Sequence, residues 1–181
     1  MIDDYQLVTF EIKHIPVLYS WYAGEKEPEC YTCRPVSPVM PLTKYKSHVL
    51  EAVKNHEQYV YLLIKKTRPA EPLGKIVLFD MNKRNHSAEF GYYLPEVNRN
   101  RGLGSILTGL FLETVFSDEA LDLNKIYATT SSINIPSISL LEKYRFQMDG
   151  RMREHYWIND EKYDQLIYSL TADEFLRGKQ N

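Results

Sequence analysis

A mixed α/β domain follows from three features of the sequence. The apolar residues switch between a period of two and a period near 3.6, clusters of turn-forming residues separate the runs, and 181 residues suit one domain, taken as residues 1–181. The resulting order is one strand, two helices, three strands, a helix, a strand, a helix and two strands.

Each element has its own signal. Tyr5 to Glu11 alternates apolar and polar residues as a half-buried strand does. Ile15 to Tyr22 reads as a short helix, with Pro16 tolerated in the first turn where its missing N–H costs nothing. Residues 23–41 hold Gly24, the acidic GEKEPE, Cys30, Cys33 and four prolines, which predicts a long irregular connection. Thr43 is expected to cap a helix whose Tyr45, Val49, Leu50 and Val53 keep helical spacing to about His56. Tyr59 to Lys65 and Lys75 to Asp80 are β-rich and are expected to pair across the turn-prone TRPAEPLG, and Ser87 to Leu94 follows as a third antiparallel strand.

Further along, Leu103, Ile106, Leu107, Leu110, Phe111 and Val115 form one helical stripe within Gly102 to Phe116. A strand Lys125 to Thr130 and a helix Ile135 to Tyr144 come next. Phe146 to Ile158 and Lys162 to Leu170 make a hairpin about Asn159-Asp160, and Thr171 with Glu174 forms a capping box for a last helix.

Composition narrows the function. Twenty-two basic against 24 acidic residues give a net charge of −2, without the basic excess of a nucleic-acid grip. The longest apolar run, Tyr59 to Ile64, is far too short to span a bilayer, and the acidic start MIDDYQLVTF is unlike a signal peptide. The expectation is a cytoplasmic protein acting away from membranes and nucleic acid. A lone CYTC at residues 30–33 lacks the further ligands that structural zinc needs, so it reads as two ordinary loop thiols and no metal is expected.

Chemistry concentrates in PEVNRNRGLGS, residues 95–105, between a strand and an amphipathic helix. Glycines there let backbone N–H groups approach an anion, the helix N-terminus adds a partial positive charge, and Arg99 and Arg101 add full ones. The combination suits a pyrophosphate. No lysine follows Gly104, which excludes a Walker loop, and Leu107 occupies the third small position of a dinucleotide fingerprint.

Arg99-Asn100-Arg101-Gly102-Leu103-Gly104 matches the Q/R-x-x-G-x-G/A signature of the GNAT acyl-CoA N-acyltransferases, which the chain resembles. SAEFGYYLPE, NIPSISLLEKYRF, GRMREHYWIND and KYDQLIYSL resemble the branch with ribosomal-protein N-terminal and spermidine acetyltransferases, over residues 73–175. The resemblance implies the GNAT fold, a mostly antiparallel sheet splayed at the CoA site and flanked by helices. It implies acetyl-CoA as cosubstrate, its pyrophosphate on the backbone of Arg99 to Gly104 with Ser105 beside it. The pantetheine arm would lie along Tyr92, Tyr93 and Leu94, and an N–H near Tyr92 would polarise the thioester carbonyl. Asn134 and Ser137 match an N-x-x-S that holds the same arm, although Asn134 alone also reads as a helix cap.

The implied reaction moves an acetyl group to a primary amine of a protein N-terminus, polyamine or amino sugar, and a homodimer is compatible with it. The amine must lose a proton first, and Glu89 is the leading candidate base. Period two puts Glu89 opposite Tyr92 unless Gly91 introduces a bulge; anchoring of neighbouring backbone is its other reading. Glu154 and His155 are lesser candidates, and Asp164 reads as structural or substrate-orienting. Leu141 stands where many relatives carry a tyrosine acid, and Arg145 where they carry a helix-ending glycine. Ser137 and Tyr144 share the helical face of Leu141, so Ser137, with Tyr144 as alternative, is expected to donate to the departing sulfur. Those two departures also leave room for an inactive CoA-binding or protein-interaction module.

Overall fold

The computed structural model describes residues 2–30, 32, 34 and 36–179. Its strands are β1 (Tyr5–Thr9), β2 (Gln58–Lys65), β3 (Arg68–Asn82), β4 (Ser87–Tyr93), β5 (Lys125–Ser131), β6 (Gln147–Ile158) and β7 (Glu161–Thr171). Its α-helices are α1 (Ile15–Gly24), α2 (Leu42–Lys54), α3 (Leu103–Ser117), α4 (Ile135–Lys143) and α5 (Ala172–Lys179). The strands form one sheet in the order β1-β2-β3-β4-β5-β7-β6, and among the described residues only the β4–β5 pair is parallel.

Strand alternation gives the sheet two faces with different cover. Ile76, Leu78, Ala88, Phe90 and Ile126 point to the face packed by Leu107, Phe111 and Leu112 of α3 and Leu141 of α4, all nearly inaccessible. Each such large side chain contributes about 1.5–3 kcal/mol by leaving water, and Phe111→Ala at the centre would cost about 3–5 kcal/mol. On the opposite face Leu62 packs with Leu18 of α1 and Tyr45 of α2, a smaller cluster that leaves part of the sheet uncovered. Among the described residues no helix is long and apolar enough to cross a membrane.

Two local expectations are corrected. Helix α2 starts at Leu42 with Pro41 as its N-cap and no side-chain cap bond, so Thr43 lies inside the first turn instead of capping it. TRPAEPLG is not the β2–β3 turn: the chain reverses at residues 66–67 and β3 already begins at Arg68. Its prolines are accommodated because the register slips between Leu63 and Lys65, so the missing N–H groups fall where the ladder is already broken.

Other signals hold. Asn159 and Asp160 both have positive φ, as a tight hairpin turn requires. Thr171 and Glu174 exchange capping bonds of 2.9 and 3.3 Å. Arg145 keeps the left-handed backbone of a helix end, φ 63°, at a strain of about 1–2 kcal/mol that glycine would avoid.

Candidate active site

The parallel strands β4 and β5 pair only at Ser87–Lys125, Ala88–Ile126 and Glu89–Tyr127. Beyond that point Phe90 to Tyr93 remain bonded to β3 while Thr129 to Ser131 remain bonded to β7. The two strands therefore part, and the edge of β4 from Phe90 to Tyr93 has no strand partner on the β5 side. Buried backbone groups require partners, so this edge is suited to an extended ligand carrying amides. Two cavities meet at the gap, both lined by Phe90, Gly91, Tyr92, Tyr93 and Thr129.

The first cavity, about 440 Å³, extends toward α3 and α4 and collects most of the residues expected to hold acetyl-CoA. Tyr92, Tyr93, Leu94, Arg99, Asn100, Gly104, Ser105, Asn134 and Ser137 all line it. Asn100 and Gly102 are left-handed, with φ 58° and 75°, a backbone of the kind that makes anion-binding concavities, just ahead of α3. Gly102 is the helix N-cap, and a Cβ there would meet open space, so its glycine serves the backbone conformation and not a close contact. Arg101, Gly102 and Leu103 do not line the cavity: Leu103 is buried in the core and Arg101 faces a separate hollow beside Tyr5 and Lys65.

On the α4 side, Asn134 caps the helix by accepting the Ser137 N–H at 3.3 Å. Ser137 is buried and lines the same cavity as the Tyr92 phenol, whose ionisation burial makes harder. Leu141 is core, as its apolar side chain dictates. Tyr144 does not approach the cavity. Its hydroxyl lies against α3, donating to the Ser105 carbonyl at 2.5 Å and 3.1 Å from Ser105 Oγ, because the helix has turned past the gap by that residue.

Glu89 faces the second cavity, about 410 Å³, on the opposite side of the sheet. The β3–β4 register runs unshifted from Glu89 to Tyr93, so Gly91 introduces no bulge there and period two sets Glu89 against Tyr92. The carboxylate accepts from Thr129 Oγ1 at 2.9 Å and from Arg34 Nη2 at 3.3 Å, with its side chain 12% exposed. Burial raises its pKa above the ordinary carboxylate value, partly offset by those two donors. Its anchoring bonds are thus to side chains, one of them, Thr129, across the gap.

A family description, Acetyltransferase (GNAT) domain, matches residues 5–147. The chain belongs to the GNAT acetyltransferase family. It is 32% identical over 103 residues to the SPbeta prophage-derived uncharacterized N-acetyltransferase YokL of Bacillus subtilis, covering 57% of each chain. It is 30% identical over 82 residues to the L-amino acid N-acetyltransferase AaaT of Escherichia coli, covering 45% of this chain and 49% of AaaT. The chain thus spans about half the length of these curated relatives. In fold it is similar to the spermidine N-acetyltransferase of Vibrio cholerae solved with CoA and spermine, at TM-score 0.83 and 17% identity over 96% and 99% of the two chains. The ribosomal L7/L12 acetyltransferase RimL, solved with coenzyme A, superposes at TM-score 0.76 and 16% identity over 94% and 96%.

Several further polar groups are engaged in bonds within the protein. Asp164 accepts the Glu154 N–H at 2.8 Å and is bonded by Arg151, and those donors hold its carboxyl low. It braces a bulge between Met152 and Tyr156 in β6 where Glu154 is left-handed, so simple alternation does not describe Glu154 and His155. Glu25 bonds Arg99 at 2.8 Å and also interacts with the Tyr93 phenol. Burial alone would raise its carboxyl, yet these donors outweigh burial and lower it. Cys30 is half-buried and burial pushes its thiol up, which disfavours a reactive thiolate; Cys33 lies outside the described residues.

Three lining residues, and one cation beside the α3 start, escaped the sequence reading. Arg34 lies in the irregular connection and bonds both Asp80, at 2.7 Å, and Glu89. Lys143 donates to Ser105 Oγ at 2.6 Å, adding a cation beside the α3 start. Gln165 and Lys75 line the Glu89 cavity, and Gln165 Oε1 is buried without a partner among the described residues. For Lys75 a signal existed, since period two in Lys75-Ile76-Val77-Leu78-Phe79 puts a lysine on a face with Val77 and Phe79.

Proposed function

We propose that this chain transfers the acetyl group of acetyl-CoA to a primary amine by direct attack. The observation that carries the reading is the gap between β4 and β5, which joins an anion-suited cavity on one face to a carboxylate-bearing cavity on the other. The residues present fit the cosubstrate. The left-handed Asn100 and Gly102 suit a pyrophosphate, and the unpartnered edge Phe90 to Tyr93 suits a pantetheine arm with its two amides. Protein N-termini, polyamines and amino sugars are the acceptor classes that the family membership brings into view.

In this mechanism the acceptor enters the Glu89 cavity and gives up a proton to Glu89, directly or through water. The amine lone pair attacks the thioester carbon, and a β4 N–H near Tyr92 stabilises the oxyanion. The nitrogen then sheds its second proton to water, the carbon–sulfur bond breaks as the carbonyl re-forms, and the departing thiolate takes up a proton from water to leave as CoA thiol. Ser137, which lines the cavity with Tyr92, donates to that sulfur. A thiolate with an intrinsic pKa of about 8.5 needs little more than such a bond, so a buried Leu141 is compatible with turnover.

The same buried Leu141 favours a second reading, a CoA-binding or protein-interaction module without turnover. Calorimetry with acetyl-CoA and thiol release over a panel of amines test both. Binding with release on at least one amine is expected. Binding without release on any amine would overturn the enzyme reading, and absence of binding would overturn both.

A further inference from the structure

The Glu89 cavity holds an ammonium group that the acetyl-transfer reading does not use. Lys75 on β3 lies directly opposite Tyr93 of β4 and Leu62 of β2, on the same sheet face as Glu89, and lines the cavity with it. Among the described residues its Nζ has no hydrogen-bond or ion-pair partner. Burial lowers its pKa and no neighbouring charge compensates. Arg34, the other lining cation, is different in being paired with both Asp80 and Glu89.

A half-buried, unpaired ammonium is a cost to the folded protein, because desolvation disfavours its charged form. The cost is removed when an anion enters beside it. Glu89 cannot serve as that anion: it pairs with Phe79, four residues along β3 from Lys75, or about 13 Å of strand. The two groups mark opposite ends of one cavity, a carboxylate and a buried carbonyl oxygen of Gln165 that accept from an amine, and an ammonium that accepts nothing.

We propose that the acceptor is an amine that also carries an anionic group, a carboxylate or phosphate, which Lys75 binds while the amine meets Glu89. The proposal rests on the acetyl-transfer reading and narrows it. A polyamine is the wrong complement for this cavity, whose lining offers one carboxylate, Glu89, against two cations, Arg34 and Lys75. A second ammonium group of such a ligand would stand near Lys75 and be repelled. The spacing of Lys75 and Glu89 makes the separation of amine and anion a selectable property of the acceptor.

The test uses matched pairs that differ only in the anion. Glycine, γ-aminobutyrate, ε-aminocaproate and L-phenylalanine are each compared with the corresponding carboxamide, glucosamine phosphate is compared with glucosamine, and spermidine is added. Thiol release gives kcat/KM, and calorimetry on the protein saturated with CoA gives acceptor affinity whether or not turnover occurs. At least one anionic member should exceed its neutral partner by about tenfold in affinity and in kcat/KM, about 1.4 kcal/mol. The preferred pair tells a carboxylate ligand from a phosphate one. In Lys75→Met the ratio should fall to near one, and in Lys75→Arg it should persist.

Equal affinity for both members of every pair in the native protein would overturn the proposal, even if Lys75→Met does not fold. Preference for spermidine over all the anionic acceptors would overturn it too. An equal loss of kcat on both members of a pair in Lys75→Met, with their affinity ratio intact, would make Lys75 a base instead. Selective binding without any thiol release would leave Lys75 as an anion site and sink only the acetyl-transfer reading.

Discussion

Gly104→Glu separates the architecture of the phosphate loop from its chemistry, because the two effects have opposite signs. Gly104 is the second residue of α3, and a Cβ there would stand 3.6 Å from Leu140 Cδ2 and Leu94 Cδ1, ordinary contact. Its φ is not in the left-handed region, so a side chain adds no backbone strain. Replacing glycine in a helix contributes up to about 1 kcal/mol, and a carboxylate in the first turn adds about 0.3–1 kcal/mol with the helix dipole. The variant should therefore unfold at the native temperature or about 2–4 °C above it. Binding should move the other way. A carboxylate about 5 Å from a pyrophosphate charge costs about 3 kcal/mol at an effective dielectric of about 20, and still about 1.5 kcal/mol at about 10 Å. Acetyl-CoA affinity should fall at least about tenfold, and about a hundredfold at the shorter distance. Thermal unfolding without ligand and calorimetric titration with acetyl-CoA read the two effects separately. Unchanged affinity in a variant of native stability would refute the assignment of the α3 start as the pyrophosphate site.

Four further outcomes follow from the geometry. If Glu89 is the base, kcat/KM should decline toward acid pH through the raised pKa of this carboxyl, since only the ionised form accepts a proton, and Glu89→Gln should lose both rate and that acid limb. Under saturating acetyl-CoA, Ser137→Ala should lower kcat about tenfold, about 1.4 kcal/mol. Tyr144→Phe should leave kcat nearly intact and cost about 0.5–1.5 kcal/mol of stability through its bonds to Ser105, seen as a lower unfolding temperature. Glu25, whose carboxyl is held low by Tyr93 and Arg99, contributes stability present above the ordinary carboxylate pKa and lost as pH falls through its lowered value. Glu25→Gln should flatten that part of an acid-unfolding curve, and an unchanged curve would argue against the Glu25–Arg99 clasp.

Local physics made much of this protein readable in advance. Period-two and helical stripes located the strands and helices, because burying one face of an element leaves its periodicity in the sequence. The loop Arg99 to Ser105 was legible for a related reason: left-handed backbone ahead of a helix demands residues such as Asn100 and Gly102, whatever surrounds them. Asn134 as a cap and Thr171 with Glu174 as a capping box are likewise decided within four residues.

What the tertiary structure decided are the properties that depend on partners far along the chain. TRPAEPLG looked like a turn because its prolines cannot join a regular ladder, and only the slipped register against Leu63 to Lys65 accommodates them in β3. Tyr144 shares a helical face with Ser137, yet the packing of α4 on α3 carries its hydroxyl to Ser105 and away from the gap. Glu25 stands in the acidic GEKEPE, and only the fold brings Arg99 and Tyr93 to it, across more than sixty residues of sequence. Lys75 shows the same limit from the other side. Its place on an apolar strand face was readable, but the lack of any partner near its ammonium is a property of the whole cavity, to which β2, β3, β4, β5, β6 and β7 all contribute. Backbone conformation is set by neighbours in sequence, whereas the charge and hydrogen-bonding state of a side chain is set by neighbours in space.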